Sequence, residues 1–239
     1  MRLQQYLINE GINDKGIFKA CFLAGHPGSG KGYTIKQIKS GSISPKIVNT
    51  DTFVEFYGPG HPWSEIGEKV KKLNKKQLTL YLNSLLPLWI DGTSSNPSNL
   101  FRRSGLLTSY GYDTSMIWVT ADLETILRRN QERWEKDEKR IVDENFIKES
   151  YEKLKKYKTF YKSHFKVFLE IDNNDGKFTD DLILKAYKKM SKFFNEPVKN
   201  MVGQDLIEEM KTNGYKYYTD IPRYDMAFIK RLVDTWYIK

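Results

Sequence analysis

Five apolar segments, each ending in a small or acidic residue, recur along most of the chain. They cover 18–24, 46–51, 86–91, 115–120 and 165–172. Segments with the apolar periodicity of helices lie between them. Strands that alternate with helices in this way are typical of a parallel sheet wrapped by helices, so the pattern predicts an α/β fold.

Polar residues mark the expected starts of two helices. Asn96 and Pro97 precede a predicted helix over 98–110, and Asp143 precedes one over 144–160. An apolar stripe at helical spacing is assigned to the core and not to a cofactor site. It consists of Leu78, Tyr81, Leu82, Leu85 and Leu86.

The pattern changes after Asp172, where a polar loop begins. Thr179 is the expected cap of a helix that runs to about residue 194. The residues beyond it are rich in aromatic side chains and lysine. We therefore divide the chain into a predicted core over 1–177 and a small, mainly helical C-terminal extension over 178–239.

Composition places the chain among globular proteins, because 29% of its residues are charged and 39% are apolar. No apolar run approaches the roughly 18 residues that a membrane span needs. The first residues lack the apolar centre of a signal peptide. We therefore expect a cytoplasmic protein with no membrane partner. The single cysteine, Cys21, lies in an apolar segment and is expected in the core.

The net charge is +9, from 39 basic and 30 acidic residues. An excess of positive charge favours a polyanionic partner such as a nucleotide or a nucleic acid. Lysine-rich faces that only contact solvent are also common in proteins. Charge alone leaves both interpretations open.

A glycine-rich segment between the first predicted strand and a predicted helix has the features of a phosphate-binding loop. Its glycines let backbone N–H groups turn toward phosphate oxygens, and the helix N-terminus adds partial positive charge. Its final lysine can reach the β- and γ-phosphates. The segment is the Walker A sequence Gly25-His26-Pro27-Gly28-Ser29-Gly30-Lys31, called the phosphate loop below. It predicts binding of ATP. An ordinary glycine-rich turn is the alternative, which the agreement of strand, spacing, lysine and helix disfavours.

The residue after the phosphate loop departs from the usual pattern. Gly32 stands where a serine or threonine commonly binds Mg²⁺. Nucleoside monophosphate kinases of the adenylate kinase type also have glycine there, so catalysis remains compatible with the sequence. Mg²⁺ would then be held mainly by phosphate, water and nearby carboxylates.

Two aspartates end predicted strands. Asp51 closes the second strand and Asp91 closes the third. Because the carboxyl ends of parallel strands open on the same crevice as the phosphate loop, both carboxylates are expected near the γ-phosphate. One can accept the proton of an attacking hydroxyl while the other orients Mg²⁺-bound water or the substrate. For either aspartate alone, capping of a helix is the alternative role.

Arginines follow the fourth predicted strand. Arg129 and Arg133 lie four residues apart on one helical face, and Arg140 comes later. Arginines in a segment that closes over the site would contact the nucleotide and neutralise charge on the transferring phosphoryl group. A solvated helix is the alternative, because acidic and basic residues surround them.

These motifs together resemble those of the 5′-hydroxyl polynucleotide kinases of phage type and the related zeta-toxin kinases. The similarity covers about residues 17–175. It rests on the phosphate loop, Asp51 after an apolar strand, the segment 91–97 with Arg102 and Arg103 after it, and the segment 129–133. The resemblance implies a P-loop NTPase-type three-layer fold, with ATP and Mg²⁺ as cofactors. Residues 49–53 and the later His61-Pro62 also resemble the corresponding sequence segments of zeta-toxin kinases.

The resemblance also implies roles for individual residues. Lys31 would be the phosphate-binding lysine, Asp51 the general base, Asp91 a substrate-side group and Arg133 the transition-state arginine. Asp51 and Asp91 are also the expected metal ligands. The expected nucleotide contacts are the phosphate loop with Gly32, Arg129 and Arg140. The expected substrate contacts are Asp51, Asp91, Arg102 and Arg103.

The acceptor of the phosphate stays open. Val54 stands where the phage polynucleotide kinases have an arginine that binds a nucleic-acid phosphate. The expected acceptor is a hydroxyl on a nucleic acid, with DNA favoured, or on a nucleotide. A hydroxymethylated base in DNA and a nucleotide sugar are further possibilities. Outside the kinases, the alternative is a nucleic-acid-binding NTPase, although Gly92 follows Asp91 where a motor ATPase would have a glutamate.

Overall fold

The computed structural model describes residues 15–38, 45–57, 63–137, 142–175, 177–215 and 226–237. Within these ranges the description excludes the side chains of Glu55, Trp63, Arg133, Trp134, Lys136, Asp137 and Met226. His61 and Pro62 of the predicted motif, and Gly176 of the loop after Asp172, also lie outside it.

Five parallel strands form one sheet. They are β1 (Lys19–Ala24), β2 (Lys46–Val48), β3 (Leu88–Asp91), β4 (Asp113–Thr120) and β5 (Val167–Asp172). Their order across the sheet is β2-β3-β1-β4-β5, and each neighbouring pair is parallel. Helices pack on both faces, which confirms the predicted three-layer α/β fold.

Nine helices are present in the described ranges. They are α1 (Lys31–Ile38), α2 (Asp51–Tyr57), α3 (Trp63–Asn83), α4 (Pro97–Ser109), α5 (Leu123–Asp137), α6 (Glu144–His164), α7 (Asp180–Asn195), α8 (Met201–Thr212) and α9 (Met226–Trp236). None of them combines the length and apolar content that crossing a membrane requires. Asn96, Asp143 and Thr179 cap α4, α6 and α7, as predicted.

Alternate residues of β1 point to opposite faces of the sheet. Ala20 and Phe22 pack in one core with side chains of α3, α4, α6 and α9. Cys21 and Leu23 pack in a second core with α1 and α7. Burial on both faces explains why this central strand is a continuous apolar run. Burial also raises the pKa of the Cys21 thiol to about 12, as expected of a core cysteine.

The helices of the predicted C-terminal extension contribute to both cores. Met190 and Phe194 of α7 belong to the same core as Cys21. Trp236 of α9 stacks on Phe22 with ring centroids 6.4 Å apart. The helices within 178–239 therefore share the core of the sheet, and the division at 177 stays a prediction from the sequence.

One predicted strand end is corrected by the structure. β2 ends at Val48, and Asp51 begins α2 instead of closing the strand. The physical reason is the side chain of Asn49, whose Oδ1 accepts the backbone N–H of Asp51 at 2.7 Å. An asparagine that bonds to the backbone two residues ahead turns the chain, so the apolar run cannot continue as a strand.

Candidate active site

The order of the strands determines where a ligand can bind. β1 lies between β3 and β4, so the chain fills the sheet on one side of β1 before it reaches the other. Ligands of open α/β sheets bind beyond the carboxyl ends of the strands at such a switch point. The phosphate loop follows β1 at this point, and Asp91 of β3 pairs in register with Leu23 of β1. The topology therefore brings the phosphate loop and Asp91 to one crevice.

Two glycines of the phosphate loop, Gly28 and Gly30, have φ of +85°. Side chains disfavour this left-handed region. Each glycine also lies against another element. A Cβ on Gly28 would be 2.9 Å from the carbonyl oxygen of Ile126 in α5, and a Cβ on Gly30 would overlap the amide nitrogen of Asn173. Both positions therefore require glycine for conformation and for close approach.

Lys31 begins α1, and its ammonium group turns back over the phosphate loop. Nζ donates to the carbonyl oxygens of Gly25 at 2.9 Å and His26 at 3.0 Å. The N–H of Ser29 closes the loop by donating to the same His26 carbonyl at 3.1 Å. The charge of Lys31 thus lies at the centre of the loop, where it can attract phosphate oxygens.

His26 is the buried side chain of the phosphate loop. Its ring lies 4.9 Å from that of Tyr151 in α6, and its exposed fraction is 3%. Burial, with a contribution from the charge of Lys31, lowers the pKa of His26 to about 4. The imidazole is therefore neutral at pH 7 and connects the loop to α6 by packing. Pro27 is half-buried, and Gly32 is exposed with open space around it.

The residues directly after β5 form hydrogen bonds to the phosphate loop and to the start of α5. Asn173 is buried, and its Nδ2 donates to the carbonyl oxygen of Ser29 at 2.7 Å. Oδ1 of the next residue, Asn174, accepts the N–H of Asp122 at 2.8 Å, just before α5 begins. Two consecutive asparagines thereby fix the phosphate loop and the start of α5 relative to β5.

Arg129 of the predicted nucleotide-binding set pairs with the residue that follows these asparagines. Its Nη2 donates to Oδ1 of Asp175 at 2.9 Å. Arg128 forms an ion pair with the same carboxylate and another with Glu132 at 2.6 Å. Asp175 thus holds two arginines of α5 beside the phosphate loop.

The other two predicted arginines cannot be placed in the same way. Arg133 belongs to α5, but its side chain lies outside the described residues, as does all of Arg140. Their contacts to the phosphoryl group and the nucleotide stay predictions. The connection between α5 and α6 is anchored by Asn130, which exchanges two hydrogen bonds with the backbone of Val142, at 2.8 and 3.1 Å.

The two predicted carboxylates are joined by one asparagine. Asn49 lies directly after β2, and its Nδ2 donates to Oδ2 of Asp91 at 2.8 Å. Its Oδ1 accepts the N–H of Asp51 at the start of α2. Asp51 is exposed to solvent, whereas Asp91 is half-buried. The pair therefore has one accessible and one enclosed carboxylate.

The ionisation of Asp91 is perturbed by its surroundings. Burial raises the pKa of Asp91 above its ordinary value, and the nearby Asp51 carboxylate adds to the rise. The charge of Lys31 and the hydrogen bond from Asn49 act in the opposite direction. These interactions place Asp91 within the electrostatic reach of the phosphate loop.

The two carboxylates can bind a divalent cation only together with further ligands, such as the phosphate oxygens of a substrate. Oδ1 of Asp91 is buried and has no hydrogen-bond partner in the described part of the chain, so it is available as a ligand. Within the same ranges, no group of three or more acidic, histidine or cysteine residues is gathered as a metal site. Mg²⁺ commonly binds one or two carboxylates together with phosphates and water. Asp51 and Asp91 suit that arrangement.

The two arginines predicted to contact the substrate differ in their surroundings. Arg102 of α4 donates to Oδ1 of Asn99 at 2.9 Å. Arg103 donates to the carbonyl oxygen of Trp236 at 3.2 Å, and its guanidinium lies 5.3 Å from the centre of that indole ring. The contacts of Arg103 are those of a residue that fixes α9 against α4. A substrate role for either arginine stays a prediction.

The segment between β3 and α4 contains a strained residue. Ser94 has φ of +56°, which is uncommon for a residue with a side chain. Its hydroxyl donates to the carbonyl oxygen of Leu23 at 3.2 Å, and its own carbonyl accepts the hydroxyl of Tyr161 at 2.7 Å. These bonds hold the 91–97 segment against β1 and α6, beside the phosphate loop.

Several residues that organise the site were not among the sequence predictions. Asn49 stood inside a quoted motif without a role, although a polar residue at the end of a strand was a usable signal. Asn173, Asn174 and Asp175 were assigned only to a loop. Their partners are far away in the sequence, and no local pattern indicates them.

Comparisons with known proteins give a family and a fold. A family model described as zeta toxin matches residues 12–180. The structure is similar to that of a Chloroflexus aurantiacus protein described as a candidate kinase, with a TM-score of 0.55, 14% identity, and coverage of 74% of this chain and 98% of that chain. It is also similar to a chain of the Pnkp1/Rnl/Hen1 RNA repair complex, with a TM-score of 0.53 and 22% identity over 62% of this chain and 48% of that chain. A search of curated proteins found no match.

The two structural similarities lie below 25% identity and show the fold alone, and this chain spans about half the length of the second. The family match is more informative. It covers most of the chain and includes the phosphate loop, Asp51 and Asp91. It confirms the expected relationship, and the chain belongs to the zeta toxin family of P-loop kinases.

Proposed function

We propose that this kinase transfers the γ-phosphate of ATP, with Mg²⁺, to a hydroxyl group on a nucleic acid or a nucleotide, with DNA favoured. The observation that carries the proposal is the link from Asn49 to Asp91 and to the N–H of Asp51. It holds two carboxylates together at the crevice that contains Lys31. One positive group for the phosphates and two carboxylates for the acceptor are the parts that phosphoryl transfer needs.

In the proposed reaction, Asp51 accepts the proton of the acceptor hydroxyl. A bond forms between the acceptor oxygen and the γ-phosphorus, while the bond from that phosphorus to the β,γ-bridging oxygen breaks and ADP leaves. Lys31 and the N–H groups of the phosphate loop stabilise the charge on the phosphate oxygens. Asp51 suits the base because it is the accessible carboxylate of the pair.

Asp91 would orient the acceptor and hold Mg²⁺ in this proposal. Its Oδ2 is engaged by Asn49, while its Oδ1 remains available. When bound, Mg²⁺ would neutralise negative charge on the phosphates. Asn49 keeps Asp91 in place and favours its ionised form by donating a hydrogen bond to it. Arg129, Arg133 and Arg140 are proposed to close over the phosphates from α5 and the residues after it.

A nucleotide sugar is the second candidate acceptor. It is the acceptor that the resemblance to zeta-toxin kinases implies, and the zeta toxin family model matches residues 12–180 of this chain. A hydroxymethylated base in DNA is a third form of acceptor, compatible with Val54 at the position of the absent phosphate-binding arginine. All of these acceptors present a hydroxyl to the same pair of carboxylates.

The decisive experiment incubates the protein with γ-labelled ATP and a panel of acceptors. The panel contains single- and double-stranded DNA, DNA with hydroxymethylated bases, RNA, nucleotides and nucleotide sugars, and Lys31→Ala is the negative control. We expect label on a nucleic acid or a nucleotide. Label on a nucleotide sugar alone would replace the acceptor in our proposal. Release of labelled phosphate without any labelled acceptor would indicate an NTPase instead.

A further inference from the structure

A groove between α3 and α9, called the lysine groove below, concentrates positive charge outside the active site. Its cavity has a volume of about 270 Å³. Four of the seven residues that line it are lysines, and one is acidic. Both helices pack on the face of the sheet that contains the core around Phe22. A concave surface with such an excess of lysine is suited to a negatively charged ligand.

Helical spacing agrees with this placement on both helices. On each helix the lining residues are three or four positions apart, or directly adjacent within that spacing, so they form one stripe. They are Lys72, Lys75, Lys76 and Thr79 on α3, and Lys230, Val233 and Asp234 on α9. The two stripes line the same cavity from opposite sides. The lysines of the groove therefore share one surface.

One lysine of the groove is engaged by the protein itself. Lys75 of α3 forms an ion pair with Asp234 of α9 at 3.1 Å, and its Nζ lies 5.5 Å from the centre of the Tyr237 ring. The hydroxyl of Tyr237 donates a hydrogen bond to Oδ1 of Asn74. These contacts join the two helices, and the ion pair neutralises the acidic residue of the lining. Lys75 therefore maintains the groove and is not counted among its ligand contacts.

The other three lysines have no acidic partner to neutralise them. Lys72, Lys76 and Lys230 are exposed, and none of them forms an ion pair in the part of the chain that the structure describes. The acidic residue that precedes Lys72 on α3, Glu68, pairs with Lys71 at 2.5 Å. Lys72 and Lys76 lie on one side of the groove and Lys230 on the other. A ligand in the groove would therefore have positive charge on both sides.

The end of α9 connects the groove to the acceptor side of the active site. Trp236 lies two residues after Asp234, and its ring stacks on Phe22 of β1. Its carbonyl oxygen accepts a hydrogen bond from Arg103 at 3.2 Å. Arg103 lies in the second turn of α4, a helix that begins six residues after Asp91. The groove, Arg103 and the start of α4 therefore lie on one face of the sheet.

We propose that the lysine groove binds the phosphate backbone of a polynucleotide acceptor, away from the hydroxyl that receives the γ-phosphate. Lys72, Lys76 and Lys230 contact the backbone phosphates. The inference rests on the proposed function, since it names a polynucleotide as the substrate. Val54 stands where the phage-type kinases have a phosphate-binding arginine, and the groove supplies phosphate contacts elsewhere. Such remote contacts add binding energy without touching the reacting atoms.

The size and lining of the groove favour a phosphate backbone over a whole nucleotide. Pockets for drug-sized ligands have about 300–1,000 Å³ and are lined mainly by apolar and aromatic side chains. The described lining of this groove contains no aromatic ring on which a base could stack. The hydroxyl of Thr79 already donates to the carbonyl oxygen of Lys75 at 2.9 Å. The groove therefore offers charge for phosphates, and its binding should be independent of base sequence.

The test measures binding of a labelled single-stranded DNA oligonucleotide by fluorescence anisotropy at several salt concentrations, without ATP. The groove variant is Lys72→Gln/Lys76→Gln/Lys230→Gln, which leaves the pair of Lys75 and Asp234 intact. The matched control is Lys36→Gln/Lys185→Gln/Lys188→Gln, which removes the same charge from exposed positions of α1 and α7, on the opposite face of the sheet. A further variant has arginine at the three groove positions. Thermal unfolding confirms that all of them are folded.

We expect the glutamine variant of the groove to bind the strand roughly 3- to 100-fold more weakly at low salt. The slope of log K against log salt should fall by about 0.7 for each phosphate that the variant no longer neutralises. The arginine variant and the control should stay close to wild type. In kinetics, the KM for an oligonucleotide acceptor should rise in the glutamine variant. The KM for a nucleoside monophosphate acceptor should not, because it has no backbone that extends to the groove.

Three outcomes would overturn the groove. The glutamine variant and the control could bind the strand equally well, or the arginine variant could bind as weakly as the glutamine variant. Wild-type protein could also bind polyglutamate as tightly as the strand, which would indicate an acidic protein partner. The binding result is independent of turnover. If binding depends on the groove but no nucleic acid is phosphorylated, only the proposed acceptor fails, and in the reverse case only the groove fails.

Discussion

The amide nitrogen of Asn49 donates a hydrogen bond to Oδ2 of Asp91 at 2.8 Å. The two residues are 42 positions apart, and they join the end of β2 to the end of β3. The same Asn49 side chain accepts the N–H of Asp51. One side chain therefore sets the positions of both carboxylates of the site. Its removal should lower kcat more than it weakens nucleotide binding.

We predict that Asn49→Ala lowers kcat by roughly 10- to 150-fold, the order of the 1.5–3 kcal/mol that a hydrogen bond to a charged group contributes. The KM for ATP should change little. Loss of the bond removes an interaction that favours ionised Asp91, so the pKa of Asp91 should rise further. The acidic limb of the pH–rate profile should then move to higher pH. Asn195→Ala, at an exposed residue of α7, is the control, and an unmoved acidic limb would contradict the assigned role.

Lys31→Ala is expected to lower the rate of phosphoryl transfer strongly, since its ammonium is the fixed charge at the centre of the phosphate loop. Removal of a group that stabilises developing charge typically costs about 10² to 10³ in kcat. Steady-state kinetics and nucleotide binding by calorimetry measure the two effects. Lys36→Ala, at an exposed residue of the same helix, should behave as wild type. Normal turnover by Lys31→Ala would remove the phosphate-loop assignment.

The sequence predicted the fold well because its central strands are buried on both faces. Such strands are uninterrupted apolar runs, and β1 and β4 stand out for this reason. The predicted end of β2 was wrong because the true end depends on a hydrogen bond between the Asn49 side chain and the backbone. The apolar content of the segment gives no sign of that bond. The position of Asp91 at the crevice followed from the parallel topology, whereas Asp51 lies there because Asn49 turns the chain into α2.

The contacts that position the site were beyond sequence reasoning. Asn173 reaches Ser29 across 144 residues, and Arg103 reaches Trp236 across 133. Neither pairing has a local signature. At the C-terminal end of the chain, Ile229, Leu232, Val233 and Trp236 are buried in the core. Deletion of 195–239 should therefore reduce stability before it affects acceptor binding.

Gly30 and Gly32 form a matched pair for substitution by alanine. Gly30 has φ of +85°, and a Cβ there would overlap Asn173, whereas Gly32 has open space around it. Gly30→Ala should lower the melting temperature and weaken ATP binding. Gly32→Ala should be tolerated, and the better helix propensity of alanine could add about 0.5–1 kcal/mol of stability. Equal effects of the two substitutions on melting and on ATP binding would contradict the described loop.

Stability should depend on the protonation of His26. Burial lowers the pKa of His26 from its ordinary value of 6.5 to about 4 in the folded protein. Because the unfolded chain binds this proton at higher pH than the folded one, stability should fall as pH decreases from about 6.5 toward 4. The loss from this residue is on the order of 2–3 kcal/mol. Urea unfolding between pH 7 and pH 4.5 should show a shallower loss for His26→Phe, and parallel curves for the two proteins would argue against a buried neutral imidazole.

Asp51 and Asp91 can be distinguished by conservative amide substitutions. Asp51→Asn keeps the size of the side chain and removes the proton acceptor. If Asp51 is the general base, kcat should fall by about 10² to 10⁴ while ATP affinity survives. Asp91→Asn should instead weaken binding and raise the apparent dissociation constant for the acceptor or for Mg²⁺. The reason is that Asp91 is the enclosed carboxylate to which Asn49 donates a hydrogen bond.

The measurement is a set of steady-state titrations in ATP, acceptor and Mg²⁺ on both variants, with Asp181→Asn on the exposed first turn of α7 as a control. The raised pKa of Asp91 gives the alternative a physical basis, since a buried carboxylate with a raised pKa is the stronger base. If Asp51→Asn retains nearly normal kcat while Asp91→Asn loses it, the roles are exchanged. Asp91 would then take the proton, and Asp51 would serve the acceptor or the metal from the start of α2.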